Sequence, residues 1–105
     1  MTSTYRIDKF IVPEAAMAQF MPRVHHVDRL LGELPGCRRN LVLTQTGGTG
    51  VFNVVTIVEW ESDEAIRHAR STMQAHYERE GFDTEAFMRQ LGVEADLALY
   101  AETSA

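Results

Sequence analysis

The apolar positions of this chain switch between an alternating rhythm and a helical one, and the switches mark out its elements. Tyr5, Ile7 and Ile11 alternate with Phe10 and Val12, the pattern of a first strand from Tyr5 to Val12, and Pro13 ends it at a helix start. From Glu14 onward Met17, Phe20, Val24, Val27, Leu31 and Leu34 recur at steps of three and four, one stripe of an amphipathic helix. Pro22 lies inside that stripe without a backbone N–H, so a kink, or two shorter segments meeting, is predicted there. Leu34-Pro35-Gly36 stops the helix.

Two β-rich runs follow, Asn40 to Thr46 and Val51 to Trp60, on either side of Gly47-Gly48-Thr49-Gly50, whose glycines supply the positive-φ positions of a hairpin. They are expected to pair antiparallel. Ser62 with Asp63 and Glu64 is a second helix start, a capping hydroxyl and two acids at the positive helix end. Ile66, Ala69, Met73, His76 and Tyr77 run along one side of that helix up to Gly81. Asp83 to Leu91 reads as a short third helix stopped by Gly92, and Ala95 to Ala101 as the last strand.

The order is β-α-β-β-α-β with a short helical insertion before the final strand, which predicts a ferredoxin-like α+β sandwich with an antiparallel sheet and both main helices on one face. A single domain over residues 1–105 is expected, with flexible ends at 1–4 and 102–105. In the third strand Val54, Thr56, Val58 and Trp60 point one way, and Asn53, Val55, Ile57 and Glu59 the other. Both sets carry buried-type residues, so the face that the helices leave open calls for a second chain, and a homodimer through that face is predicted.

A hydrophobic content of 45% and a charged content of 24% are enough for a packed core and argue against disorder. The net charge of −5 repels phosphates and anionic lipid, and only Arg38 and Arg39 are adjacent among the basic residues. Neither nucleic acid nor membrane is an expected partner. With no leader pattern after Met1 and no apolar run of spanning length, a cytoplasmic protein is expected. The single cysteine, Cys37, has no partner for an internal disulfide or a thiolate metal site.

The glycine-rich stretch lacks the Gly-Lys-Ser/Thr ending of a phosphate loop and leads into a strand. His25 and His26, with Asp28 nearby, lack a metal-binding spacing, because neighbours on a helix diverge by about 100°. A solvated flank is the expectation for both, and no metal is predicted. Glu59, Glu61, Asp63 and Glu64 are explained by a strand leading into a helix N-terminus. More informative are the polar groups aimed inward: Asp8, Asp28, Thr56, His76 and Tyr77. Singly, each has a plain structural reading, His76 and Tyr77 as satisfied core residues and Asp8 as a partner of Arg6 or Lys9. Together with Trp60 they describe a mostly apolar pocket with a few polar points.

Leu34-Pro35-Gly36-Cys37 after the first helix, and Phe52 to Trp60 followed by Glu61-Ser62-Asp63-Glu64-Ala65, resemble the antibiotic biosynthesis monooxygenase superfamily of dimeric α+β barrel proteins. The likeness extends from Tyr5 to Tyr100. It implies the barrel dimer, and it implies a choice of activities, among them cofactor-free oxidation of anthrones to quinones and degradation of haem. The anthrone-oxidising members use a tryptophan where Trp60 stands; where they have an asparagine and a tyrosine, this chain has Thr56 and Ile66. Of the haem degraders' residues, His76 matches a histidine, Asp8 falls near an asparagine, and the second helix has no tryptophan.

The function expected is a cofactor-independent monooxygenase acting on a planar phenolic or enolic molecule, with dioxygen as co-substrate. Asp8 or His76 would be the base and Trp60 would hydrogen-bond and stack on the substrate, making Asp8, Trp60 and His76 the catalytic set. Asp28, Thr56, Met73 and Tyr77 would bind and orient the ligand. The alternative is a non-catalytic binding or stress-response domain whose pocket holds a small aromatic molecule or is filled by its own side chains, with a haem-binding or haem-degrading protein ranked below it.

Overall fold

The computed structural model describes residues 2–104. It contains β1 (Thr4–Ile11), a 3-10 turn (Glu14–Ala16), α1 (Met17–Gly32), β2 (Cys37–Thr44), β3 (Val54–Trp60), α2 (Asp63–Glu80), α3 (Thr84–Leu91) and β4 (Glu94–Ala101). The strands lie in the order β2-β3-β1-β4 and every neighbouring pair is antiparallel. This is the ferredoxin-like α+β sandwich. Among the described residues, no helix is long and apolar enough to cross a membrane.

The helix boundaries follow the capping chemistry. The Ser62 hydroxyl accepts a hydrogen bond from Ala65 N at 3.1 Å, the Asp83 carboxylate accepts one from Ala86 N at 3.0 Å, and Gly81 and Gly92 close α2 and α3 in the left-handed conformation. Three expectations are corrected. The segment junction of the first helix falls at Met17, after the 3-10 turn, and α1 then continues through Pro22 to Gly32. Pro22 stands in the second turn, where its missing amide deprives only the Ala18 carbonyl of a partner. The hairpin is also shifted: β2 starts at Cys37, aided by an irregular register between Cys37 and Arg39, and β3 starts at Val54. Before Val54, the Asn53 side-chain amide extends the pairing, accepting from Val12 N and donating to Val12 O, both at 2.8 Å.

The third correction concerns the ends of the chain. Thr4 begins β1, and Ser3 is buried, its hydroxyl donating to Glu59 at 2.6 Å and accepting from Arg38 at 2.7 Å. Residues 102–104 follow β4 without regular structure, although Glu102 accepts a hydrogen bond from the Tyr5 hydroxyl at 2.7 Å. Met1 and Ala105 lie outside the described residues.

The core forms in two parts on the helix side of the sheet. One joins Phe10, Val12, Phe20, Val24, Val54 and Val93, with Phe87, Met88 and Leu91 of α3 packed against it. The other joins Val58, Trp60, Ala65, Ile66 and Ala69, with Leu31, Leu34 and Cys37 against it. The two family-like stretches meet in this second part. The Gly36 carbonyl accepts from Glu61 N at 2.9 Å, and Gly36, at φ +85°, lies so close to α2 that an added Cβ would stand 2.5 Å from that of Ala65.

Candidate active site

Between the two halves of the core the facing strand residues are polar. Asp8 of β1 is directly opposite Thr56 of β3, while Phe10 is opposite Val54 and Arg6 opposite Val58. A cavity of about 480 Å³ lies over this pair. Strands β1 and β3 form its floor, α1 and α2 its roof, and α3 one end, with Phe87 and Met88 in the wall. Arg70, Gln74 and Leu97 also line it and are exposed, so it opens to solvent between α2 and β4.

Six of the seven residues singled out from the sequence line this one cavity: Asp8, Asp28, Thr56, Trp60, Met73 and Tyr77. Trp60 and Met73 are buried walls. Trp60, Thr56, Tyr77 and Asp28 bring an indole, two hydroxyls and a carboxylate to the lining. Asp8 is paired, its Oδ1 accepting from Arg6 Nε. Burial pushes the Asp8 carboxyl above the ordinary carboxylate range, with the Arg6 guanidinium pulling the other way. The Tyr77 phenol is likewise raised by burial, against the attraction of Arg23.

His76 is not in the wall. It lies beyond the edge of the cavity, half-exposed, with Nδ1 3.2 Å from Arg79 Nη2 and Nε2 4.0 Å from Glu80 Oε1. The reason is angular. Ile66, Met73 and Tyr77 point within about 40° of one another on α2, whereas His76 is turned about 60° from Met73 toward α1. His26 corrects the expectation of a solvated pair: His25 is exposed, but His26 turns toward α2 and its Nε2 is buried.

Several wall residues were not singled out from the sequence. Arg6 shares the face of Asp8, which strand alternation alone would have shown. Arg23 holds Glu80 through both oxygens at 3.0 and 3.1 Å and stacks 3.5 Å above the Phe82 ring. Nothing in the local pattern announces that clamp, because its partners come from α1, α2 and the loop before α3.

No family model matches the chain, and no curated protein matches its sequence. Solved structures do match over its length. A cofactor-independent oxygenase from Streptomyces nogalater, SnoaB, shares 18% identity with a TM-score of 0.70, covering 100% of this chain and 97% of that one. This chain has the fold of that oxygenase. A dimeric ferredoxin-like protein from an uncultured marine organism matches at 9% identity and TM-score 0.71, covering 100% and 99% of the two chains. The haem degrader MhuD from Mycobacterium tuberculosis, with two haems bound in its active site, matches at 20% identity and TM-score 0.65, covering 97% of each. These likenesses, at 9–20% identity, show a shared fold.

Proposed function

We propose that the cavity is the active site of an oxygenase that acts on a planar phenolic or enolic molecule with dioxygen, without metal or flavin in the reaction. The observation that carries this is a mostly apolar cavity between the core halves, open to solvent on one side, whose lining includes Trp60, Thr56, Tyr77, Asp28 and the Asp8 carboxyl of raised pKa. SnoaB, of the same fold, is a cofactor-independent oxygenase.

Asp8 is the base. A carboxylate held by Arg6 yet raised by burial takes a proton from an activated C–H or O–H more readily than an ordinary surface carboxylate does. The resulting anion gives electrons to dioxygen, and a peroxide forms at carbon. Loss of water from the peroxide leaves one oxygen atom as a carbonyl and releases the other. The Trp60 indole N–H and the Thr56 and Tyr77 hydroxyls donate to the oxygen on which negative charge develops. Asp28 and Met73 orient the ring system. His76 has no part in this scheme, and no histidine among the described residues lines the cavity, which removes support from the haem alternative.

A ligand series of phenols, anthrones and quinols tests the proposal. A substrate of the right shape should quench the fluorescence of Trp60, the only tryptophan, and support oxygen uptake. Asp8→Asn should keep the quenching and lose on the order of a hundredfold in oxygen uptake, the usual scale for a general base. Quenching without uptake in the native protein would mark a binding domain, and neither effect would mark a closed cavity without a small-molecule role.

A further inference from the structure

Outside the cavity, where α1 faces the C-terminal half of α2, lie three metal-ligand side chains that the oxidation scheme does not use. His26, His76 and Glu80 bring one ligand atom each to within 4.8 Å of one another. His26 Nε2 stands 3.5 Å from Glu80 Oε2, and His76 Nε2 stands 4.0 Å from Glu80 Oε1. His76 and Glu80 sit one turn apart on α2, while His26 comes from the facing helix, so the linear spacing of the sequence hides the set. Two imidazoles and a carboxylate, with water in the remaining position, are a donor set that suits zinc and its first-row neighbours.

Two further observations bear on occupancy. His26 Nε2 is buried and has no hydrogen-bond partner, an orphaned nitrogen beside a carboxylate. Glu80 is already oriented, since Arg23 grips both its oxygens and holds its carboxyl below the ordinary range. Tetrahedral bonds of about 2.1 Å set ligand atoms roughly 3.4 Å apart, so no separation need close by more than roughly 1.4 Å, within reach of half-exposed side chains. Ligation through His76 Nε2 leaves the proton on Nδ1, and the exposed Arg79 then swings away from that nitrogen. The Arg23 charge disfavours any dication, which selects against hard ions held by one carboxylate and for metals that bind imidazole strongly.

The geometry points to a divalent transition-metal site at His26, His76 and Glu80, of zinc type, that staples α1 to α2 beside the cavity wall formed by Arg23, Tyr77 and Phe82. The site is independent of the oxidation chemistry. Metal-stripped protein without a histidine tag, titrated with Zn²⁺ by calorimetry and with Co²⁺ by visible absorption, provides the test. One equivalent should bind per chain, with a low-coordinate Co²⁺ spectrum and a higher melting temperature with Zn²⁺. His26→Ala and His76→Ala should each weaken binding at least tenfold, and His25→Ala should leave it unchanged. His26→Gln and His76→Gln serve as second variants should either alanine form melt before titration. No saturable binding, or equal binding by the His26 and His76 variants and native protein, would overturn the proposal.

Discussion

Asp8 is subject to two opposed influences, burial that favours its neutral form and the Arg6 guanidinium that favours its charge, and burial prevails. Its folded pKa therefore lies above its unfolded one, so the folded chain binds the extra proton. The stability this brings is fully present below the unfolded value of about 3.9 and is lost as pH rises through the folded value. Its proposed work as a base has the opposite dependence, since only the ionised form accepts a proton. Denaturation of native protein and Asp8→Asn across pH should show the native chain losing stability relative to the variant over that window, while oxygen uptake by the native chain rises. A pH-independent difference would contradict the raised pKa. Comparison with the variant also removes the contribution of Glu80, whose lowered pKa gives stability that is lost as pH falls. The inward placement of Asp8 was readable because strand alternation is strict. That of His76 was not, because about 60° on a helix separates a cavity wall from a flank, and the position of the neighbouring helix decides between them.

At the scale of elements, the two family-like stretches are a joint between the turn after α1 and the start of α2. Gly36 is left-handed there, its carbonyl accepts from Glu61 N, and its missing side chain is the space that Ala65 occupies. Gly36→Ala should combine the cost of a non-glycine residue at positive φ with overpacking, together about 2–4 kcal/mol in denaturant unfolding. Trp60 sits in the same half of the core, so a shift in its fluorescence should accompany the loss. A variant as stable as the native chain would mean the turn rearranges freely. The periods and caps made most elements legible, including α3 from Asp83 and Gly92. The hairpin ends were less so: the Val51 to Asn53 run has strand-like residues, but the Asn53 side chain takes over part of the pairing with Val12, which no alternation pattern encodes. What α3 does was also hidden. The sequence marks it only as a short helix, and its packing against the core places Phe87 and Met88 in the cavity wall.

At the scale of the whole molecule, the two layers leave one sheet face bare. All three helices pack on the side of Phe10, Val54 and Trp60, and the opposite side presents Ile7, Leu41, Leu43, Val55, Ile57 and Tyr100 in register across the four strands. Leu43 is 44% exposed and Tyr100 41% exposed in the single chain, so the patch extends across the sheet and is not one stray side chain. We infer that a second copy covers it, because an apolar face of this extent is costly to leave in water and a two-fold axis sets the same patch of two chains against each other. Sedimentation at micromolar concentration should give twice the chain mass. Ile57→Glu places a charge at the middle of the face and should yield a monomer, because an unpaired carboxylate does not survive burial in an apolar interface. A double variant that pairs Ile57→Glu with Leu41→Lys, whose site is opposite Ile57 in the β2–β3 register, should recover part of the dimer if loss of solvation was the cause. A native chain that sediments as a monomer would end the dimer proposal, while leaving the cavity, which lies wholly on the helix side, as described.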